Sequence, residues 1–439
     1  MRPPTIATKC ASDPPKFAFF RVGAASKKDA TQAVYRARHI ELIKFPRRAM
    51  EPYRTNPFDL PRNIEIAMNS IVVNLSRRVA NTLDHGYHHS RVRNAILAIR
   101  SRKKTEQLFS DCKRFVVFLV PGLDTVNGGI MSICSIASET EKLLAANRVR
   151  VAVCTAYSEP RILRYTKFDN EVDILSFADL LPRFPPGSEV LVHVPEMFVQ
   201  KFVSNCPSIY RSRSDVNWRF NILLQMDKIP QKEAVEIVKQ IGPTTVTLAY
   251  KAIAAEAGQR LDCPTHFISW FISPEDFERR EYFDKKPLII ISPDLHPLKS
   301  EIVRRIAEAL PDHEIIEIWN MTYEKYKSTI KNAKFAFTFG EGLDGYFAET
   351  IFCGGVGMAW FDDRYFTPEF RNLDGVFRDS KHALASVAEF LKTTNNEVRY
   401  RAVADAQFEL VARTFDRKEY LDNIKTFYEK YFRDSAPIL

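Results

Sequence analysis

The alternation of short apolar runs with longer helical patterns, from Phe115 to about residue 360, most constrains the fold of this chain. Short runs rich in Val, Ile and Phe predict buried strands, whereas apolar residues three or four positions apart predict helices. Strands that alternate with helices form parallel sheets, because parallel neighbours need a crossover connection. The sequence therefore predicts an α/β protein. Its predicted strands are Phe115–Val120, Val149–Cys154, Glu189–Val194, Phe220–Leu224, Thr245–Ala249, Leu288–Ile291, Glu314–Ile318, Phe335–Phe339 and Val356–Trp360.

The alternation divides into two series, because it lapses over the charged and aromatic stretch Trp270–Lys286. We predict a first Rossmann-like domain over residues 111–275, a second over residues 286–400, and closing helices over residues 401–439. A basic, partly helical extension over residues 1–110 precedes them. Two such domains that face each other leave a cleft along the carboxyl ends of their strands, where open α/β sheets bind ligands.

Positive charge is concentrated near the N-terminus. Residues 1–114 hold 23 of the 63 Lys and Arg residues but only 9 of the 54 Asp and Glu residues. Such asymmetry is typical of contact with an anionic membrane leaflet or a nucleic acid, and equally of a solvated surface. We interpret the helical pattern Ile64–Leu83 as packing on the body of the protein. The basic segment Arg91–Lys104 is either a packed helix or a membrane anchor.

The sequence also indicates a compartment. No apolar run approaches the roughly 18–20 residues that span a bilayer, and the N-terminus lacks the apolar core of a secretory signal. The seven cysteines are scattered without the paired spacing of a metal site. We predict a cytoplasmic protein, at the inner face of the membrane if the basic segment binds lipid. We predict no catalytic metal, since His85, His88 and His89 resemble a polar turn and Asp362-Asp363 a simple loop.

The segment Glu341–Glu349, EGLDGYFAE, carries the clearest chemistry. It joins the predicted strand Phe335–Phe339 to a helical pattern, so free amide groups and the positive end of a helix dipole favour an anion there. Gly342 and Gly345 allow a ligand to approach the backbone closely. The two carboxylates can accept hydrogen bonds from hydroxyls, which suits a sugar ring and a ribose. The segment therefore indicates a nucleotide-sugar site.

With this order of elements, the segment resembles the E-x7-E motif of retaining GT-B glycosyltransferases, especially the family 4 group. The similarity covers roughly residues 113–432 and is stronger in the second domain. It implies a GT-B fold, two facing Rossmann-like domains with parallel sheets, of which the first would bind the acceptor and the second the nucleotide-sugar donor. It also implies that Glu341 lies near the donor sugar hydroxyls and that Glu349 holds the ribose. The loop amides that would contact sugar and phosphate belong to Leu343, Asp344 and Gly345.

A second match lies in the first domain. Gly128-Gly129 follows the strand Phe115–Val120 and precedes a helical pattern. The segment Val126–Ile130 resembles the glycine-rich loop that such enzymes place against the diphosphate, although a double glycine is often only a turn.

The family's cationic pair is altered in this chain. Many members carry an Arg and a Lys after the first strand of the second domain, to neutralise the departing diphosphate. Here Ser292 takes the Arg position, and only Lys299 or His296 can supply a cation. Lys299 can equally be an ordinary residue of the first helical turn.

The family's first-domain histidine is also altered. The segment Val190–Glu196 resembles the strand end that carries it, but Pro195 takes the position of the histidine. The candidates for a group near the reacting carbon are then His193 and Glu196. His193 can instead be a core histidine, and Glu196 can contact the acceptor.

These patterns predict a metal-independent glycosyltransferase that needs no cofactor and uses a nucleotide diphosphate sugar as donor, and the family resemblance implies that it transfers the sugar with retention. The basic lead segment favours a glycan or lipid-linked acceptor near a membrane, as in surface polysaccharide synthesis. One alternative is a GT-B-fold nucleotide-sugar epimerase. Another is a non-catalytic protein that binds nucleic acid through residues 1–114, although no RNA- or DNA-binding motif is present there. The sequence leaves the oligomeric state open.

Overall fold

The computed structural model describes residues 91–432, apart from residues 110, 111, 158, 169, 171, 206 and 227. Most of the predicted N-terminal extension, including the helical pattern Ile64–Leu83, lies outside the described residues. Its final part is helix α1 (Arg91–Leu108). This helix packs on the first domain, with Ser101 and Thr105 fully buried and Lys104 paired with Asp173. The predicted helix over Arg91–Lys104 is confirmed.

The first sheet contains seven parallel strands in the order β3-β2-β1-β4-β5-β6-β7. All five strands predicted for this domain are present, with ends shifted by a few residues. The two strands that the sequence did not predict, β3 and β7, have three residues each. The strands are β1 (Arg114–Val120), β2 (Val149–Thr155), β3 (Ile174–Ser176), β4 (Glu189–Pro195), β5 (Asn217–Leu224), β6 (Thr244–Leu248) and β7 (Thr265–Phe267).

Helices cover both faces of this sheet, which is why its central strands are apolar almost without interruption. Strand β1 is buried from its second residue to its last. The helices are α2 (Gly128–Leu144), α3 (Phe177–Leu180), α4 (Glu196–Asn205), α5 (Pro207–Arg211), α6 (Lys232–Lys239) and α7 (Ala254–Leu261).

The second sheet contains five parallel strands in the order β12-β11-β10-β8-β9. The predicted strand Val356–Trp360 has the observed bounds, whereas β10 starts and ends two residues earlier than predicted. The strands are β8 (Lys286–Ile291), β9 (Glu314–Glu317), β10 (Ala333–Phe337), β11 (Val356–Trp360) and β12 (Val376–Phe377). Its helices are α8 (Lys299–Ala309), α9 (Tyr323–Asn332), α10 (Gly345–Phe352), α11 (Ser380–Thr394) and α12 (Glu397–Thr414).

The last helix, α13 (Arg417–Phe432), returns to the first domain. Tyr420, Ile424, Phe427 and Tyr428 are buried in the core beneath α2. By contrast, α12 places Tyr400 and neighbouring residues in the core of the second domain. The closing helices therefore serve different domains.

Each sheet has a point where the direction of strand addition reverses, between β1 and β4 in the first sheet and between β8 and β10 in the second. At such a point the loops that follow two adjacent strands diverge to opposite faces and leave a crevice. The predicted glycine loop follows β1, and the predicted glutamate loop follows β10. The topology therefore places both motifs where α/β sheets bind ligands.

Candidate active site

The glycine loop of the first domain ends at the start of α2. Asn127 is the N-cap residue, and its Oδ1 accepts hydrogen bonds from the amides of Gly129 at 2.9 Å and Ile130 at 3.3 Å. A Cβ atom added at Gly128 would meet nothing within 4 Å, so this position faces open space. The loop therefore presents an uncharged, capped helix start that a ligand can approach.

Gln225, which directly follows β5, connects three loops at this edge of the sheet. Its side-chain amide donates to the carbonyl of Gly129 at 2.9 Å, and its backbone amide donates to Glu196 Oε2 at 3.1 Å. Glu196 is the first residue of α4 and directly follows β4. Gly129 and Glu196, predicted separately as diphosphate-binding and acceptor-side residues, thus meet through one glutamine.

Glu196 lies close enough to the second domain for the charge of Glu341 to affect the pKa of its carboxyl. Burial raises the pKa of its carboxyl above the usual value, and the negative charge of Glu341 raises it further. The bond from the Gln225 amide acts in the opposite direction. Glu196 and Glu341, which belong to different domains, therefore face a common region.

Tyr250 makes the direct connection between the two edges. It follows β6, and its hydroxyl donates a short hydrogen bond to Glu341 Oε2. Its ring packs edge-on against Tyr365 of the second domain, with centroids 4.9 Å apart. Burial and the charge of Glu341 raise the pKa of Tyr250, so it stays a hydrogen-bond donor at neutral pH. The predicted donor-sugar residue Glu341 is thus held by the first domain.

The glutamate loop leads into α10 through an acidic cap. Asp344 is the N-cap residue, and its carboxylate accepts from the amide of Phe347 at 3.0 Å and from the hydroxyl of Thr338. Burial raises the pKa of Asp344 to about 7, although both bonds favour its ionised form. Its side chain is therefore occupied within the protein, and any ligand contact at Asp344 would fall on the backbone.

The loop itself is tightly packed. Gly342 has a φ of +84°, and a Cβ atom there would lie 2.4 Å from the ring of Phe366. The side chain of Leu343 is buried in the core, and its amide donates to the carbonyl of Glu341 at 3.1 Å. Gly345 begins the helix, where the first amides have no partner within the helix. Of the three predicted loop amides, that of Leu343 is already bonded.

Glu349 is buried on α10, with 6% of its surface exposed. Its Oε1 lies 3.4 Å from the hydroxyl of Tyr323, and its Oε2 has no hydrogen-bond partner among the described residues. Burial raises the pKa of this carboxyl to about 8. A Cβ atom at Gly345 would lie 3.5 Å from Oε1, in van der Waals contact with it, so the glycine leaves a small space beside the carboxyl.

A second contact between the domains lies beside Glu349. The amide of Tyr323 donates to the carbonyl of Lys167 at 2.7 Å, and the ammonium of Lys167 donates to Asn320 Oδ1 at 2.9 Å. Lys167 belongs to a first-domain loop whose neighbour Thr166 bonds to Asp124, between β1 and α2. The surroundings of Glu349 are therefore tied to the glycine-loop side of the first domain.

Lys299, the predicted cation, begins α8 and is already engaged. Its charge is balanced by Glu317 on β9, and a diphosphate would have to share the ammonium with that carboxylate. Its Nζ donates to the carbonyl of Ser292 at 2.7 Å, the carbonyl of Asp294 at 3.0 Å and Glu317 Oε1 at 3.0 Å.

His296, the other predicted cation, is held as a neutral ring. Its Nδ1 accepts from the amide of Leu298 at 3.2 Å, and its ring centre lies 4.6 Å from that of Trp360. Burial lowers the pKa of His296 below its usual value. It can therefore contact a donor as a neutral group.

His193 requires a correction, because it is fully buried in the core of the first domain. Its ring stacks on Phe118 with centroids 4.1 Å apart, and its nitrogens lie 3.0 Å from the Tyr428 hydroxyl and 2.9 Å from Asn221 Nδ2. Burial lowers its pKa to about 3. A catalytic role does not fit this position, since no ligand in the cleft could touch it. The core interpretation fits, and Glu196 is the polar residue that this strand presents at the edge.

Three residues of the site were not predicted. Asn127 could have been found, because an Asn before a glycine pair at a helix start is a typical N-cap. Gln225 and Tyr250 carry no such signal, since a residue after a strand acquires its partners only when other strands lie beside it.

The structure contains no group of three or more His, Cys, Asp or Glu side chains that could hold a metal ion, within the part of the chain that it describes. Within the same part, each helix is too short or too polar to cross a membrane.

The backbone resembles those of several solved structures at low sequence identity. One is a mutant of S. aureus TarM in complex with fondaparinux, α-GlcNAc-glycerol and UDP. It is 9% identical, with a TM-score of 0.52, and the match covers 72% of this chain and 99% of that chain. Sucrose-phosphate synthase from Thermosynechococcus elongatus is 9% identical over 73% of this chain and 100% of that chain, with a TM-score of 0.46.

A third is Anabaena HepE in complex with UDP and glucose, which is 11% identical over 73% of this chain and 100% of that chain, with a TM-score of 0.43. No protein-family model matches the chain, and no curated protein matches its sequence. Likeness at this identity concerns the fold alone. The chain has the GT-B fold, which confirms the predicted fold class.

Proposed function

We propose that this protein is a glycosyltransferase that moves a sugar from a nucleotide diphosphate donor to an acceptor hydroxyl. The observation that carries the proposal is the hydrogen bond between Tyr250, which follows β6 of the first sheet, and Glu341, which follows β10 at the reversal point of the second sheet. This bond holds the carboxyl edges of the two sheets to one cleft. One side offers a glycine loop and a capped helix start, and the other offers hydrogen-bonding carboxyls. A nucleotide diphosphate sugar has a diphosphate between a sugar and a ribose. It therefore needs a site for an anion beside groups that bind hydroxyls.

In the proposed complex, Glu349 binds the ribose. The buried and unpartnered Oε2 supports this role, because a buried polar atom without a bond costs about 1–3 kcal/mol unless a ligand satisfies it. Glu341 accepts a hydroxyl of the donor sugar. The glycine loop and the start of α2 receive the diphosphate through the helix dipole. The amides of Gly129 and Ile130 join in only if the side chain of Asn127 releases them.

Catalysis is proposed to rest on positioning and on stabilising the diphosphate as it leaves. Glu196 contacts the acceptor hydroxyl, and burial raises the pKa of its carboxyl above the usual value. The acceptor proton then passes to a phosphate oxygen of the leaving group, and the sugar is transferred with retention. We propose that neither a metal nor a cofactor takes part, and that the product belongs to a glycan or surface polysaccharide.

A thermal-shift screen with UDP, GDP, ADP, dTDP and CMP tests the site. A nucleotide at about 100 times its dissociation constant stabilises the native state by about 2.7 kcal/mol, so the one that fits should stand out. The shift should be lost in Glu349→Ala and kept in Glu389→Ala, which changes an exposed helical glutamate far from the loop in sequence. A flat response of the unmodified protein to all five nucleotides would contradict the proposal.

Product analysis then separates transfer from isomerisation. With the sugar donor of the selected nucleotide, a transferase releases the nucleoside diphosphate and glycosylates an acceptor. An epimerase instead converts the donor to a second sugar without an acceptor. NMR of the reaction mixture distinguishes these products, and isomerised donor alone would replace the transferase proposal with the epimerase alternative.

A further inference from the structure

Gln225 occupies a central position at the carboxyl edge of the first sheet. It directly follows β5, which lies beside β4, and the glycine loop follows β1 on the other side of β4. Its backbone amide donates to Glu196 Oε2 at 3.1 Å, and its side-chain amide donates to the carbonyl of Gly129 at 2.9 Å. One residue therefore contacts both the candidate acceptor carboxylate and the helix start where the diphosphate is proposed to bind.

The two glycines of the glycine loop leave room for different neighbours. A Cβ atom added at Gly128 would meet nothing within 4 Å. A Cβ atom added at Gly129 would lie 3.1 Å from Asn127 Oδ1 and 3.2 Å from Gln225 Oε1, and both distances are shorter than an ordinary van der Waals contact. Gly129 therefore gives the side chain of Gln225 its space, whereas Gly128 lies on the open side of the loop.

The bond to Gly129 acts on a peptide group of the first helical turn. The carbonyl of Gly129 and the amide of Ile130 belong to one planar trans unit, so they point in opposite directions. Asn127 Oδ1 holds the Ile130 amide at 3.3 Å but the Gly129 amide at 2.9 Å, so the Ile130 amide is the more weakly held. A phosphate oxygen would therefore displace Asn127 from Ile130 more easily. Gln225 holds the opposite end of that same peptide group.

Glu196 holds the other end of Gln225. The pairing of β4 with β5 ends at Pro195 and Leu223. The bond from the Gln225 amide to Glu196 therefore extends the connection between the two strands beyond their ladder. A shift of Glu196 towards an acceptor would move the backbone of Gln225 and, through its side chain, the start of α2.

We infer that Gln225 is a positioning residue that couples the acceptor side of the site to the diphosphate side. The inference rests on the proposed function, since both sides belong to the same proposed site. Gln225 acts through Glu196 and through the peptide group between Gly129 and Ile130, and it needs no contact with either substrate. A bond that served the fold alone would not change how tightly phosphates bind relative to the rest of the nucleotide.

Two variants of similar shape test this role. Gln225→Met removes the donor and should weaken binding of the nucleotide selected above about fivefold, as is typical for one lost hydrogen bond. Gln225→Glu replaces the donor with a carboxylate, which repels the Gly129 carbonyl and the phosphates, so it should weaken binding at least as much. Binding of the corresponding nucleoside should stay constant, because it has no phosphate. Calorimetry measures both ligands, which are UDP and uridine if the screen selects UDP.

The comparison of nucleotide with nucleoside separates positioning from folding. A partly unfolded variant would bind less of both ligands, whereas a mispositioned helix start weakens the nucleotide alone. Gln240→Met, which changes an exposed glutamine that follows α6, should leave both dissociation constants unchanged. An unchanged ratio of the two constants in Gln225→Met, or unweakened nucleotide binding by Gln225→Glu, overturns the inference.

A double-mutant cycle tests the connection to Glu196. Glu196→Ala removes the group that accepts from the Gln225 amide. If Glu196 acts through Gln225, the effects of Glu196→Ala and Gln225→Met on the Kd of the nucleotide should be non-additive by at least about twofold. Additive effects would overturn the coupling of the two sides.

The unmodified protein separates a failure of the inference from a failure of the proposed function. Nucleotide binding that is insensitive to both Gln225 variants would retain the proposed function and remove the role of Gln225. A lack of nucleotide binding by the unmodified protein would contradict the proposed function, and the inference with it.

Discussion

The two sides of the cleft use the same local design with different chemistry. On each side a strand runs into a glycine-bearing loop and then into a helix whose first amides are capped by a side chain. Asn127 caps α2 in the first domain, and Asp344 caps α10 in the second. Asn and Asp are nearly equal as caps, so the difference between them lies in charge.

Charge separates the two sides further. The cap of the second domain lies among other acids. Burial raises the pKa of Asp344, and the negative charges of Asp294 and Glu341 raise it further. The first domain has a neutral cap, with Glu196 set back and bonded to Gln225. A positive helix end beside a neutral cap suits a diphosphate, whereas an acidic loop suits hydroxyl groups. We therefore expect the phosphates on the first side and the sugar hydroxyls on the second.

Packing also differs between the two loops, and this difference should have the largest effect, which is on the free energy of unfolding. Gly342→Ala should lower the free energy of unfolding by about 2–4 kcal/mol, because a positive φ and a clash with Phe366 add together. Gly128→Ala should change it by less than about 1 kcal/mol, since its added Cβ meets open space. Urea denaturation at pH 7 measures both. Equal effects would mean that the loops are packed alike.

The buried acid of the second side should make stability fall as pH rises. Glu349 has a pKa of about 8 in the folded state, well above its ordinary value of 4.5. Between these values the native state binds more protons than the unfolded state, so the stabilisation is present at low pH and lost as pH rises towards 8. The stability difference between Glu349→Gln and the unmodified protein should therefore grow by about 1 kcal/mol per pH unit from pH 5 to 8.

Glu196→Gln is the matched control from the first side. Its carboxyl also has a raised pKa, but Glu196 is half-buried, whereas Glu349 is buried. The slope should therefore change less in this variant. Denaturation curves at several pH values give both slopes, and a steeper effect at Glu196 would reverse the comparison.

The hydrogen bond that joins the two sides should matter for turnover more than for nucleotide affinity. Tyr250→Phe removes the hydroxyl that holds Glu341 and keeps the ring against Tyr365. We expect kcat to fall about tenfold, since a displaced sugar contact loses alignment, while the Kd of the nucleoside diphosphate stays constant.

Tyr282→Phe controls for the loss of a tyrosine hydroxyl, because its hydroxyl bonds to Asn395 on the second domain. It should leave both constants unchanged. A parallel loss of nucleotide affinity in Tyr250→Phe would show that the bond supports the whole site and does not act on the sugar alone.

The smallest expected effect tests the assignment of the phosphates. Asn127→Asp keeps the cap but adds a negative charge where the diphosphate is expected, and it should weaken nucleoside diphosphate binding about fivefold at low salt and less at high salt. Asp344→Asn should leave the affinity unchanged or raise it slightly. Calorimetry at two salt concentrations measures both. The opposite ranking would place the phosphates on the second side.

Much of the fold could be predicted, because it depends on local pattern. Strands such as β1 and β11 are short, apolar and bounded by turns, so their positions follow from the order of residues. Strands β3, β7 and β12 escaped prediction because two or three residues are too few for a periodic pattern. The packing of α13 on the first domain and of α12 on the second was also not predicted, since the pattern of an amphipathic helix does not indicate which core its apolar face will join.

The site was predictable where chemistry follows one stretch of chain, and not where it depends on a neighbour. The spacing of Glu341 and Glu349 and the glycines at 128 and 129 are local features, and the topology places both segments at reversal points. His193 and Glu196 lie three residues apart with similar promise in the sequence. Strand packing and α13 enclose the first, whereas the end of β4 presents the second.

The sequence by itself determined the alternation of strands and helices, the two glycine-bearing loops, and the spacing of Glu341 and Glu349. These features depend on residues that are close along the chain. Only the tertiary structure decided that Tyr250 holds Glu341, that Gln225 joins Gly129 to Glu196, and that Glu349 is buried with an unpartnered oxygen. Those contacts join residues from separate strands and domains, and no local pattern encodes which loops will meet when two sheets face each other.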